Sequence, residues 1–179
     1  MKIKSFSQLI SQLNKTSEDD LGKILSLFEL DADRVDIIEA GCQWSSSFYT
    51  RNLIYRNNNY ELLFLCWQPG QISPIHNHNN QHCWVNVVKG NCEEITYSLG
   101  QDGNLRALEK KLFNSGDNAY MNDQIALHSL QNIGNDNMIT VHLYSNPIDN
   151  CRVFDLHTKE SKIVTTAYTG HFIMPNDKF

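Results

Sequence analysis

The sequence predicts an all-β barrel capped by helices at its N-terminus, and three observations predict it. From Phe48 onward the chain divides into short apolar or alternating runs separated by turn residues. Residues 5–40 instead place apolar side chains at helical spacing. The length of 179 residues suits one domain with a substantial core and is short for two. We therefore expect a single domain over 1–179, with 1–45 as the helical cap and 46–179 as the barrel.

Taken in order, Ile10 and Leu13 sit three apart, and Leu21, Ile24, Leu25 and Phe28 repeat with helical period. Ser17 with Asp20 predicts an N-terminal cap followed by an acid in the first turn. The strand-like runs are Tyr49–Tyr55, Tyr60–Trp67, Cys83–Val88, Glu94–Ser98, Leu105–Phe113, Ile125–Asn132, Met138–Ser145, Val153–Leu156 and Ile163–Tyr168. Gln68-Pro69-Gly70, Gly100-Gln101-Asp102-Gly103 and Ser115-Gly116-Asp117 punctuate them, and Asn57-Asn58-Asn59 reads as a polar hairpin loop. Many short strands of this kind make a sandwich or barrel. The chain carries no internal repeat, linker or low-complexity segment.

A net charge of −5 offers no basic stripe to neutralise phosphates, which argues against nucleic acid as a partner. No apolar run approaches the roughly eighteen residues of a membrane span, and Met1-Lys2-Ile3-Lys4-Ser5 lacks the apolar block of a signal peptide. The expectation is a monomeric, cytoplasmic chain that takes a small soluble ligand. Cys42, Cys66, Cys83, Cys92 and Cys151 form an odd, scattered set without CxxC spacing, so reduced thiols are expected, with Cys42, Cys66 and Cys92 in ordinary packing.

The chemistry concentrates at His76-Asn77-His78. On an extended strand the two imidazoles project from one face about 7 Å apart, close enough to grip one ion, although a polar β-edge would carry such a pair too. His128, in the run Ile125 to Leu130, supplies the third ligand that a mononuclear site needs. Three neutral imidazoles leave a divalent ion its full charge and, in an octahedral shell, three open positions. Such a site favours an anionic ligand, and a thiolate suits it. Zinc, nickel and copper accept the same donors as iron.

Arg51 shares a strand face with Tyr49 and Leu53. Pointed into a barrel, it can hold a carboxylate through paired hydrogen bonds with the Tyr49 hydroxyl adding a third; pointed outward, it is a solvated arginine. Alternation also places Thr140, His142 and Tyr144 on one face, as a hydrogen-bonded relay or as a satisfied interior pair. Cys83 shares a face with Val85 and Val87 and by itself reads as a small buried thiol. His82, His157 and His171 are not expected to be ligands, and Cys151 is placed near the barrel rim as a spare thiol.

Gly70, five residues, His76-Asn77-His78, four residues, Cys83, six residues and Gly90, followed by Gly116, His128 and Asn132, resemble the paired motifs of the cupin superfamily. Cys83 stands where the first motif usually has glutamate, and Asn122 where the second usually has proline. With Tyr49-Thr50-Arg51-Asn52-Leu53, Leu65-Cys66-Trp67, His82-Cys83, Asn122-Asp123 and His142-Leu143-Tyr144-Ser145, the pattern resembles the cysteine dioxygenase family, a thiol dioxygenase branch of the cupins, over Tyr49 to Val164.

The resemblance implies a cupin-type, jelly-roll-like β-barrel and one Fe(II) per chain on His76, His78 and His128. It implies oxidation of the thiol of L-cysteine with O2 to cysteine sulfinic acid, both oxygen atoms passing to sulfur. It places the substrate carboxylate on Arg51 and Tyr49, and points Tyr144 at substrate and oxygen with His142 behind it. Thr140 stands where the family usually has serine, keeping the hydroxyl. Cys83 and Tyr144 are matched to a thioether that serves as a protein-derived cofactor. Asn146 stands where many members have a cis proline, and a trans bond is expected there. The rival readings are a dioxygenase for 3-mercaptopropionate or cysteamine, and a metal-binding cupin without redox chemistry.

Overall fold

The structure, a computed structural model, describes residues 2–172; Met1 and residues 173–179 of the expected 1–179 domain lie outside the described residues. The N-terminal region holds α1 (Phe6–Leu13), α2 (Leu21–Leu25) and α3 (Ala32–Gly41). The strands that follow are β1 (Thr50–Arg56), β2 (Tyr60–Trp67), β3 (Ile75–His76), β4 (Cys83–Lys89), β5 (Asn91–Leu99) and β6 (Leu105–Asn114). They continue with β7 (Asn118–Met121), β8 (Leu127–Asn132), β9 (Met138–Ser145), β10 (Asn150–Phe154), β11 (Ser161–Thr165) and β12 (Gly170–His171).

One six-stranded sheet has the order β12-β1-β2-β9-β4-β7 and the other β11-β10-β3-β8-β5-β6. From β2 to β5, and again from β6 to β10, the chain changes sheet at every step, which is the double-stranded β-helix of a cupin barrel. The expected all-β fold with a helical cap is present.

Both central strands β2 and β9 are buried along their whole length, so polar side chains they carry, among them Glu61 on β2 and Thr140 and His142 on β9, are enclosed with the apolar ones. Leu62, Phe64 and Cys66 of β2 pack outward with Phe6, Leu9, Ile10 and Leu13 of α1. Their neighbours Leu63, Leu65 and Trp67 pack inward with Cys83, Val85 and Tyr144. The helices therefore cover the outer face of the first sheet, and its inner face is free to build a site.

The helical cap is broken into short pieces. Ser5 caps α1, its Oγ accepting the Gln8 N–H at 3.3 Å. Ser17 precedes a 3-10 turn at Glu18–Asp20 and makes no capping bond to a backbone N–H, because its hydroxyl donates to the Asp20 carboxylate at 3.4 Å. The hairpin at Asn57 forms as expected, the side-chain oxygen accepting the N–H groups of Asn59 at 2.8 Å and Tyr60 at 2.9 Å.

Several strand ends differ from the sequence expectation. Residues 125 and 126 belong to a turn before β8, and β10 and β11 begin at Asn150 and Ser161. The strand expected to carry both His76 and His78 ends at His76, and β7 and β12 were not expected, since two to four residues are too few to display an alternating pattern. No peptide bond is cis among the described residues, as expected for Asn146, which takes φ +58° directly after β9.

Candidate functional site

Strand pairing brings the three histidines together. His76 on β3 is the direct partner of His128 on β8, and His78 lies just beyond the end of β3. Asp123 folds His78 back: its carboxylate accepts the His78 N–H at 2.5 Å, the Asn80 N–H at 2.8 Å and the Asn77 side-chain amide at 3.2 Å. Asn79 and Asn80 adopt φ of 52° and 63°, a left-handed pair that asparagine tolerates. The ring centroids of His76, His78 and His128 stand 4.7–5.1 Å apart. One ligand atom from each of the three lies within 4.8 Å of the others.

The hydrogen bonds assign the tautomers. His128 Nδ1–H donates to Glu94 at 2.7 Å and His76 Nδ1–H to the Pro74 carbonyl at 2.9 Å, leaving each Nε2 with a lone pair. His78 Nδ1 makes no hydrogen bond among the described residues and lies 3.8 Å from an Asp123 oxygen. Burial, first among the causes, holds the pKa of all three imidazoles below the ordinary histidine range. Nε2 of His78 and Nε2 of His128 nevertheless face one another at 3.1 Å. Two nitrogen ligands at right angles on a metal, with bonds of about 2.1 Å, are separated by about 3 Å. The residues fit a divalent first-row cation.

Beside them runs a buried chain of hydrogen bonds. Trp67 Nε1–H donates to Thr140 Oγ1 at 3.0 Å, and indole is a donor only, so the threonine proton points to His142 Nε2 at 2.9 Å. His142, kept neutral chiefly by burial, then carries its proton on Nδ1, which faces the Tyr144 oxygen at 3.3 Å. The tyrosine hydroxyl proton is thereby left to point away from His142. Thr140, His142 and Tyr144 are brought together as their alternation on β9 predicted.

Cys83 on β4 lies directly opposite Tyr144 on β9, with its sulfur 3.9 Å from His142 Nδ1. It shares the interior cluster with Val85, Val87 and Tyr144. The Arg51 guanidinium lies over the Tyr144 ring at 5.9 Å. Tyr49 stacks on Trp67 with centroids 4.3 Å apart, on the same side of the sheet as Arg51 and Leu53.

A cavity of about 180 Å³ is walled by Tyr49, Arg51, His76, His142, Tyr144 and Cys151 among others. That is well below the roughly 300 Å³ at which drug-sized pockets begin, so the cavity admits only a small ligand. A wider, open groove of about 810 Å³ shares Tyr49 and Arg51 and forms the approach. Cys151 is buried at the cavity wall, whereas His82 is partly exposed in a stack with Trp84 and Tyr120, away from the three histidines. His157 and His171 are exposed.

Sequence reasoning assigned no role at the site to Glu94 or Asp123. A buried acid at inward parity between Cys92 and Thr96 was the available signal for Glu94. Asp123, in a turn, was marked only within the Asn122-Asp123 motif of the resemblance, without a role.

The family described as cysteine dioxygenase type I matches residues 1–157. Human cysteine dioxygenase type 1 is 34% identical over 128 residues, covering 69% of this chain. The zebrafish (Danio rerio) protein of that name is 29% identical over 129 residues, again 69% of this chain. The matched region spans 64% of the length of each of these curated relatives. A Klebsiella pneumoniae protein with a double-stranded β-helix domain is similar in structure, with a TM-score of 0.50 at 18% identity over 61% of this chain and 81% of its own. That likeness is one of fold.

Proposed function

The chain belongs to the cysteine dioxygenase type I family, and on that premise we propose that it is a non-haem Fe(II) enzyme oxidising the thiol of L-cysteine with O2 to cysteine sulfinic acid. The observation that carries the proposal is the convergence of His76, His78 and His128 beside a small cavity lined by the partly buried Arg51. Iron(II) on the three imidazoles would supply the uncancelled charge that favours a thiolate and the open positions at which substrate and dioxygen meet.

The chain's own residues do the rest. Among the described residues Arg51 Nε is buried without a hydrogen-bond partner, and a substrate carboxylate is the group that would satisfy it. Tyr49 flanks that position. Tyr144, with His142 donating to its oxygen, directs its hydroxyl proton toward the bound reactants and orients them. Thr140 holds His142 in the tautomer this requires. The small 180 Å³ cavity would hold the two reactants near one another, which supplies much of the acceleration.

Cys83 and Tyr144 are read as a thioether pair. A sulfur–carbon bond to the ring would form with loss of the thiol hydrogen and one ring hydrogen to dioxygen as oxidant. On this reading the chain acts as a single cupin domain, monomeric and cytoplasmic.

Oxygen uptake by the iron-loaded protein across a panel of thiols tests the proposal. Uptake greatest with L-cysteine supports it. Uptake greatest with cysteamine or 3-mercaptopropionate reassigns the substrate, and no uptake with any thiol makes this a metal-binding cupin without redox chemistry.

A further inference from the structure

Glu61 on β2 has no solvent exposure at all, yet no role in the reading above. It pairs across the sheet with Arg56 on one side and Tyr144 on the other, between the strand that carries Arg51 and the strand that carries the relay. One carboxylate oxygen stands 3.4 Å from Arg51 Nη2. The other accepts the Tyr168 hydroxyl at 2.6 Å and lies 3.5 Å from Arg56 Nη1. Arg56 in turn donates to the Tyr168 oxygen at 2.6 Å and to Asp149 at 2.8 Å. A buried carboxylate costs several kcal/mol unless it is paired, and two guanidinium groups and a phenol share this one.

For Arg51 the contact has a directional consequence. Glu61 accepts a hydrogen bond from the Arg51 guanidinium at 3.4 Å. Beneath it lies the face of the Tyr144 ring, which attracts a cation without fixing its rotation. With Nη2 held by Glu61, Nε remains unpaired at the cavity.

We propose that Glu61 is a positioning residue that aims Arg51 at the substrate carboxylate and so sets the preference for carboxylate-bearing thiols. The inference rests on the reading that Arg51 binds that carboxylate. Glu61 does not displace the substrate, because a guanidinium presents five N–H donors and Glu61 engages one nitrogen. Orientation therefore outweighs competition between the two carboxylates.

Anaerobic calorimetry on iron-loaded protein, with L-cysteine and cysteamine as paired probes, tests this without turnover. Glu61→Ala should weaken L-cysteine binding on the order of tenfold, the loss of one charge-assisted hydrogen bond, and leave cysteamine within about twofold. In an Arg51→Ala background the same substitution should add no further loss for L-cysteine. Should Glu61→Ala not fold, Glu61→Asp keeps the charge but withdraws the carboxylate from Arg51, and should show the same selective loss. Equal weakening of both thiols, tighter L-cysteine binding, or full additivity with Arg51→Ala overturns the proposal. If Arg51→Ala itself fails to distinguish the two thiols, the carboxylate reading of Arg51 falls instead.

Discussion

His128 Nδ1 lies 2.7 Å from Glu94 Oε1, a buried imidazole–carboxylate pair directly behind the nitrogen that faces the metal position. A carboxylate in that place fixes the tautomer and raises the basicity of the ligating nitrogen. Glu94→Ala should weaken divalent-metal affinity by about 10–100-fold, as read by equilibrium dialysis against Fe(II) or a zinc surrogate. An unchanged affinity would make Glu94 a packing residue.

Thr140 serves two buried polar partners at once, Trp67 and His142. Thr140→Val should strand both and cost about 1–3 kcal/mol for each unsatisfied group, whereas Thr140→Ser keeps the hydroxyl and should be close to neutral. Thermal unfolding of the two variants measures the difference, and equal midpoints would show that the chain of hydrogen bonds contributes nothing.

The proposed thioether between Cys83 and Tyr144, which are strand partners, predicts a mass change. After turnover with iron and dioxygen, intact-protein mass spectrometry should find a species lighter by two hydrogens, absent from Cys83→Ser. A mass that stays unaltered through many turnovers would remove the thioether from the account.

Gly90, between β4 and β5, adopts φ +90°, and a Cβ there would lie 2.9 Å from that of Met138. Gly90→Ala should combine backbone strain with a clash and cost about 2–4 kcal/mol by denaturant titration. Gly103 has a similar φ of +75° but open space around it, so Gly103→Ala should cost only the strain, about 1 kcal/mol. Equal losses would mean that the contact with Met138 relaxes freely.

Burial pushes the Cys92 thiol up to about 12 and raises Cys83 and Cys151 as well. Because only the thiolate reacts, and a raised pKa keeps the neutral form below that value, native protein at pH 8 should resist iodoacetamide at Cys92 while denatured protein is labelled. Rapid labelling of Cys92 in the native state would contradict its burial.

Much of the site was legible because its signals are local. Alternation along one strand is enough to put Thr140, His142 and Tyr144 on a single face, and likewise Tyr49 and Arg51, whatever the rest of the chain does. Ser17 makes no side-chain cap because the chain after it tightens into a 3-10 turn, where that hydroxyl meets Asp20.

What the sequence by itself determined was which side chains share a face and which residue types can hold a cation, a carboxylate or a proton. Only the tertiary structure decided who stands behind them: Glu94 behind His128, Asp123 beneath His78, Glu61 beside Arg51. Those partners lie on different strands or in turns, and strand neighbours are chosen by the burial of the whole chain. A period of two residues carries information along a strand and none across the sheet.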